Sequence, residues 1–433
     1  MTETFATYGE LQAGTLQLSL TIPTDARPEF SQFEMTISAT QLQTLTDAVL
    51  YLMDYPYGCT EQLASRILAI TALQEVLTEL RAPGQPTPEA YQTQVAADLD
   101  QLETVHNLDG GFGFWSRSEK PLPFLSIHVA HALIRAKQAG YTVPYFLLGR
   151  SKDYLSKIKD HIPKEYSSES RQTLLAYALY VLQLNGESDA DAARDLVKET
   201  GADKLPIEAI GWLLPVLAKN PATKSEQNTL VRVLTNRVTE TAGAASFVES
   251  YSDGAAVLLH SNRRTDAIIL DALLSVQPDS DLIPKLVRGL LAHRVNGRWS
   301  NTQENAFVLL ALKRYFSTFE HQPPDFLARV WLGDTFAGEH RFAGRTADQH
   351  QLGIPLSQVG KPGETKSILL NKDGTGRMYY RLGLSYAPKE VRLSPVEAGF
   401  TVSREYSAVD DPTDVKRLSA TEWQIRAGAR VKV

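Results

Sequence analysis

The sequence predicts a multidomain chain of α and β structure, in which a block of about six helical hairpins interrupts one β-domain and a second β-segment follows. Three observations predict this. Hydropathy alternates with period two up to about residue 40, switches to helical spacing, and returns to period two after Pro323. A unit made of a glycine turn, an aromatic residue and a helix occurs twice inside the helical block. The 433 residues also exceed one ordinary domain, at ~150 residues each.

The elements follow in chain order. Leu16–Ile22 and Phe33–Ile37 alternate apolar and polar residues, as half-buried strands do. From Gln41 the apolar residues Leu42, Leu45, Ala48, Val49 and Leu52 keep helical spacing until Tyr55-Pro56-Tyr57-Gly58 breaks it. Helices are expected at Gln62–Leu80, Pro88–His106, Leu125–Ala139, Arg171–Leu184, Ile207–Ala218, Thr265–Val276 and Thr302–Phe316, within a total of about twelve. The repeated unit pairs Asp109-Gly110-Gly111-Phe112 with Asn296-Gly297-Arg298-Trp299, each leading into a helix. Strands are expected at Ala328–Leu332, Ser367–Leu370 and Met378–Tyr386, with a turn at Asn371-Lys372-Asp373-Gly374. Pro388–Pro395 reads as a linker, and Thr401–Tyr406 as the start of another β-domain. The resulting division is 1–45 with 322–388, 46–321, and 389–433.

A composition of 43% hydrophobic and 22% charged residues is that of a globular protein, and a net charge of −6 gives no electrostatic case for nucleic acid or an anionic membrane. One cysteine excludes an intrachain disulfide, and a bacterial source is expected for a chain of this size. Met1–Phe5 shows no basic segment leading into an apolar run, and no stretch of ~20 apolar residues occurs.

That cysteine lies in Tyr55-Pro56-Tyr57-Gly58-Cys59-Thr60-Glu61-Gln62, three residues before a glutamine. At the start of a helix, side chains at i and i+3 meet across one turn. A thiol that displaces ammonia from the glutamine amide leaves an internal thioester, an acyl donor stored in the fold. Pro56 and Gly58 are expected to shape the turn. The helix N-terminus favours a thiolate. Tyr55 and Tyr57 are read either as core packing or as an aromatic screen over Cys59, and Glu61 as a first-turn acid or a catalytic group.

The octapeptide resembles the thioester motif of the bacterial alpha-2-macroglobulin family, within the thioester-containing, complement-like superfamily. The resemblance implies that the hairpins form an α/α toroid, that the split β-domain is a CUB-like sandwich, and that 389–433 begins a receptor-binding-type macroglobulin domain. It further implies a protease inhibitor rather than a turnover enzyme. After cleavage of a bait region, the Cys59–Gln62 thioester would acylate a lysine of the attacking protease. The partners implied are target proteases and the remaining macroglobulin domains of the parent chain. Exported relatives imply a periplasmic or cell-envelope location and a host-defence role, with a lipid anchor outside this segment. The missing leader then leads us to expect a piece of a longer exported chain. No cofactor or metal is implied.

Some complement relatives use a histidine for acyl transfer, and by the order of the helical units His161 would take that place; an exposed loop residue is the alternative. His128 and His131 lie three apart on one helix without a third ligand for a metal, and His260 is unassigned. Gly360–Ser367 lacks phosphate-loop spacing. Two rivals remain. An α/α-toroid enzyme of the cyclase, lyase or glycosidase type would need acidic clusters that the sequence lacks. A cysteine hydrolase built on Cys59 would leave Gln62 unexplained.

Overall fold

The computed structural model describes residues 3–40, 45–80, 86–241, 243–295, 297–320, 322–344, 348–389, 404–419 and 422–433. They fall into two compact units, Thr2–Ala387 and Pro388–Val433. The larger opens with strands β1 (Glu3–Leu11), β2 (Gly14–Thr21) and β3 (Ala26–Ser38). Helices α1 (Thr46–Met53), α2 (Thr60–Leu80), α3 (Pro88–Val105), α4 (Pro123–Gln138) and α5 (Tyr145–Ser156) follow. Next come α6 (Ile158–His161), α7 (Ser168–Leu184), α8 (Ala190–Thr200), α9 (Ile207–Leu217) and α10 (Lys224–Arg237). A ribbon of β4 (Thr239–Glu240) and β5 (Ala245–Ser246) precedes α11 (Gly254–Val257), α12 (Asn262–Val276), α13 (Leu282–Ala292) and α14 (Thr302–Phe319). The chain then returns to β6 (Asp325–Leu332), β7 (Thr335–Ala343), β8 (Gln349–Pro355), the short α15 (Leu356–Val359), β9 (Thr365–Thr375) and β10 (Met378–Pro388).

Helices α2, α4, α7, α9, α12 and α14 pack side by side in that order, and α14 packs on α2, closing a ring. The ring is parallel. Glu61 near the start of α2 meets Thr302 and Gln303 at the start of α14, Ser65 meets His128 of α4, and Arg264 of α12 meets Glu208 of α9. Inner helices are apolar nearly all round, and such helices are buried all round. Every residue of α9 is buried, and so is α4 from Pro123 to Ile134. The outer α3 instead buries one stripe, Tyr91, Val95, Asp98, Leu99 and Leu102.

Both copies of the repeated unit are turns that bury an aromatic residue. Gly110 has φ +93°, and a Cβ there would lie 2.2 Å from the Arg150 carbonyl oxygen, so only glycine fits. Phe112 and Trp299 are buried, and the Trp299 indole donates to the Leu290 carbonyl at 2.9 Å. Asn296 lies outside the described residues.

Strands from either side of the helical block share two sheets, ordered β1-β10-β3-β8 and β2-β9-β6-β7. β1 pairs with β10 from Glu3↔Tyr386 to Leu11↔Met378, and β2 with β9 from Gly14↔Lys372 to Thr21↔Thr365. Phe33, Met35, Phe326, Val330, Ile368 and Leu382 from both sheets form one core. The helical block is therefore inserted within a two-sheet unit. Thr40 donates to Glu320 at 2.5 Å, and the Tyr315 and Tyr379 hydroxyls lie 3.3 Å apart, tying the end of α14 to the strands.

Two expectations about the strands need correction. Asn371-Lys372-Asp373-Gly374 is not a turn but part of β9, paired with β2 on one side and β6 on the other. Lys372 is accommodated there because its ammonium donates to the Gly374 carbonyl at 2.7 Å and lies over the Phe326 ring. Strands β7 and β8 went unrecognised; their outer residues are largely exposed, so the apolar alternation is weak.

The smaller unit pairs β11 (Ser407–Ala408) with β14 (Val431–Lys432) and β12 (Val415–Arg417) with β13 (Trp423–Ile425), all antiparallel. Its buried anchor is Asp414, which accepts from Arg426 Nε at 2.7 Å. Most of the expected linker and the start of Thr401–Tyr406 lie outside the described residues; Arg404–Tyr406 is irregular.

Ring closure rests on Glu61, whose carboxyl group accepts from Ser65 at 2.6 Å, Thr302 at 2.8 Å and Gln303 at 2.7 Å. Glu61→Ala removes the acceptor of the Thr302 hydroxyl and leaves Ser65 and Gln303 only His128 Nε2 to share, and each buried polar group left unpaired costs ~1–3 kcal/mol. Urea unfolding followed by far-ultraviolet circular dichroism should therefore show a loss of roughly 2–4 kcal/mol. Unchanged stability would mean that the ring does not depend on this junction.

Candidate functional site

Cys59 is the residue just before α2, buried at 5% exposure, and the peptides on both sides of it are anchored. On the N-terminal side, Gln101 Nε2 of α3 donates to the Gly58 carbonyl at 3.1 Å. On the C-terminal side, Thr60 donates through its backbone N–H at 2.9 Å and its hydroxyl at 3.0 Å to the Phe114 carbonyl. The Cys59 carbonyl accepts from Leu63 N at 3.0 Å, the first bond of the helix. The Gln62 side chain folds back over this turn, and its Oε1 accepts from the Cys59 backbone N–H at 3.0 Å. The carboxamide therefore caps the helix onto the residue that carries the thiol.

The electrostatics differ from the sequence expectation. Burial pushes the Cys59 thiol above its ordinary pKa. Backbone hydrogen bonds from Gln62 and Glu61 pull the other way, and the Glu61 charge adds to the rise. Desolvation outweighs the helix N-terminus, so the resting site favours the protonated thiol over the thiolate.

The other motif residues divide. Tyr57 is 63% exposed, which excludes core packing, while Tyr55 is half-buried and stands edge-on between Tyr51 and Tyr57 at 5.3 and 5.9 Å. Pro56 is exposed. Gly58 does not occupy the left-handed region, so backbone freedom is not its reason; a Cβ there would meet the Gln101 amide at 3.4 Å. Glu61 points into the ring as the α2–α14 junction, away from the role of a simple surface acid.

His161 ends α6 and stacks on Tyr154 at 3.9 Å between centroids, half-buried rather than in an exposed loop. His128 and His131 face the ring interior. His128 Nε2 lies 2.9 Å from Ser65 Oγ and 3.2 Å from Gln303 Nε2, and its Nδ1 lies 3.3 Å from the Tyr177 hydroxyl. Burial, aided by Arg264, pulls its pKa down to about 3, so the ring is neutral and committed to structure. His260 bridges Glu208 and the Glu249 carbonyl at 3.3 and 3.2 Å. Among the described residues no group of three His, Cys, Asp or Glu side chains forms a metal-binding cluster.

The ring interior is filled by His128, His131, Tyr177, Trp212 and Phe307; Tyr177 stacks on Trp212 at 4.4 Å. Beside His131, Tyr180 and Trp212 a cavity of ≈ 10 Å³ remains, about one water's worth. Among the described residues the bore is thus lined by packed side chains. Sequence reasoning missed Gln101 and the Phe114 carbonyl, because contacts from other elements carry no local signal. It had Thr302 in view as a helix start, without its partner Glu61.

No protein-family model matches the chain. A Nostoc alpha-2-macroglobulin homolog is 27% identical over 404 residues, covering 91% of this chain and 20% of that protein. Escherichia coli alpha-2-macroglobulin is 23% identical over 376 residues, covering 82% and 21%. A Dictyostelium discoideum protein described as circularly permutated Ras protein 2 is 26% identical over 487 aligned residues, covering 94% of this chain but 12% of its own length. The chain thus spans about a fifth of each of the first two and about an eighth of the third. Among solved structures, Escherichia coli alpha-2-macroglobulin activated by porcine elastase matches with a TM-score of 0.63 at 19% identity, over 94% of this chain and 34% of that one. A native Escherichia coli structure spanning domain MG7 to the C-terminus matches with a TM-score of 0.56 at 19% identity, over 95% and 61%. These structural likenesses establish a shared fold, and curated homologues named alpha-2-macroglobulin align along most of the same residues, which together support a C-terminal piece of the alpha-2-macroglobulin family.

Proposed function

We propose that this chain carries the acyl donor of a protease-trapping inhibitor of the bacterial alpha-2-macroglobulin type, with Cys59 and Gln62 joined as an internal thioester. In this reading the helical ring, 46–321, is the α/α toroid of a thioester domain. Segments 1–45 and 322–388 are its CUB-like sandwich, and 389–433 begins a receptor-binding-type macroglobulin domain. The observation that carries the proposal is the Gln62 carboxamide folded onto Cys59 at the start of α2, within the motif Tyr55–Gln62. Family membership supports it, as does the Salmonella relative whose structure is described as reacted with methylamine.

The trapping step follows from the chemistry of a thioester. A lysine ε-amine of the protease attacks Gln62 Cδ, the Cδ–Sγ bond breaks, and Cys59 leaves carrying the displaced proton. An amide to Gln62 remains, so each molecule acts once. Relatives described as activated by trypsin and by elastase support endopeptidases as partners. The bait region that is cut, and the domains that move, belong to the longer parent. We place that parent in the periplasm or cell envelope, held by a lipid anchor; fractionation that finds it in the cytosol would overturn this placement.

Intact mass tests the bond directly. The chain should be lighter than its sequence by one ammonia and should gain one methylamine at Gln62. Cys59→Ala should show neither change; methylamine uptake persisting at Gln62 in that variant would refute the thioester.

The parent protein tests the trap. Incubation with trypsin should give a covalent conjugate that survives denaturing electrophoresis and is lost after methylamine pretreatment or in Cys59→Ala. Equal restraint of trypsin by the Cys59→Ala parent would favour steric enclosure over covalent capture.

A further inference from the structure

The Gly58–Cys59 peptide is gripped from opposite sides. Its carbonyl oxygen accepts from Gln101 Nε2 at 3.1 Å, and its N–H donates to Gln62 Oε1 at 3.0 Å. A trans peptide is planar, with its C=O and N–H pointing in opposite directions, so fixing the oxygen aims the hydrogen. The Thr60 bonds to Phe114 hold the following peptide, which leaves the Gln101 contact to set the plane on the N-terminal side. The atom receiving this N–H is the one that becomes negative whenever a nucleophile adds to Gln62 Cδ.

We infer that the Cys59 backbone N–H is the oxyanion donor for chemistry at the Gln62 carbonyl, and that Gln101 is the positioning residue that aims it; this rests on the thioester reading. The donor serves two balanced reactions. In formation, Cys59 Sγ adds to Gln62 Cδ, Oε1 takes the charge, the Cδ–Nε2 bond breaks, and ammonia departs with the thiol proton. In transfer, an amine adds to Cδ, Oε1 again takes the charge, the Cδ–Sγ bond breaks, and the amine's proton goes to Cys59. Both tetrahedral intermediates place the oxyanion where the N–H already points, which is the preorganisation that lowers barriers. Gln101 never touches the reacting atoms and acts through one peptide unit.

The test follows methylamine uptake by the chain with time, by intact mass, in wild type, Gln101→Met, Gln101→Arg and Cys59→Ala. Methionine keeps the side chain's length without a donor. Arginine restores a donor that does not attack acyl groups, unlike a lysine amine. Gln101→Met should slow thioester formation or methylamine uptake about tenfold, the worth of one net hydrogen bond, with an unchanged melting temperature. Gln101→Arg should recover most of that rate. Wild-type rates in Gln101→Met would overturn the inference while leaving the thioester standing. Equal slowing in both variants, with a lowered melting temperature, would also overturn it by making Gln101 a packing residue. A wild-type chain with no ammonia deficit and no uptake would remove the thioester reading and this inference with it.

Discussion

Closing six parallel helices into a ring forces six N-termini, each with unpaired N–H groups and partial positive charge, into one end of the domain. Most of the polar chemistry at that end answers this constraint. Asp253 accepts from Ser167 N at 2.8 Å and from the Ser170 hydroxyl at 2.6 Å at the start of α7. Glu249 accepts from Ile207 N at 2.8 Å and Glu208 N at 3.2 Å at the start of α9. Asn301 caps α14, and Ser261 caps α12. Helix α2 is closed from within its own first turn, where the Gln62 carboxamide accepts from the Cys59 N–H. A neutral cap leaves the backbone N–H groups of Glu61 and Gln62 directed at the Cys59 sulfur, where they appear as opposing influences on its ionisation.

The adjacency of Glu61 and Gln62 has a geometric reason. Successive residues on an α-helix point roughly 100° apart. With Gln62 turned back over Cys59, Glu61 faces into the ring and reaches Thr302 and Gln303. One dipeptide thus serves two ends at once, the turn that carries Cys59 and the seam where the first inner helix meets the last. A change at Glu61 that loosened the seam would let the first turn of α2 shift, and the Gln62 carbonyl with it.

Period and punctuation made much of this legible. The switch from two-residue to helical spacing located the inserted block, and the helices expected from it agree with the observed ones to within a few residues at each end. The octapeptide offered Cys59 and Gln62 as a pair because their spacing is local, and the helix start sets the Gln62 carboxamide on the Cys59 N–H. What failed was decided at a distance. Asn371–Gly374 has turn composition, yet pairing on both sides made it strand. Gly58 reads as a turn-shaping residue, but it lies outside the left-handed region, and its carbonyl is held by Gln101, 43 residues on in α3. His128 and His131, for which the sequence offered no third metal ligand, become neutral interior groups once the ring closes.

Burial of Cys59 bears on how a stored acyl donor stays stored. A leaving group departs faster as its conjugate acid becomes stronger. Desolvation raises the Cys59 thiol, so in the resting structure the sulfur is a reluctant leaving group as well as a sheltered one. Water reaching that sulfur would remove the largest cause of the raised value and leave the backbone hydrogen bonds from Gln62 and Glu61 to stabilise the departing thiolate. Exposure would then act twice, by admitting an amine and by improving the leaving group. In the proposed trap, a rearrangement that does no more than uncover the start of α2 would suffice to convert a stable thioester into a reactive one, without any catalytic side chain moving into place.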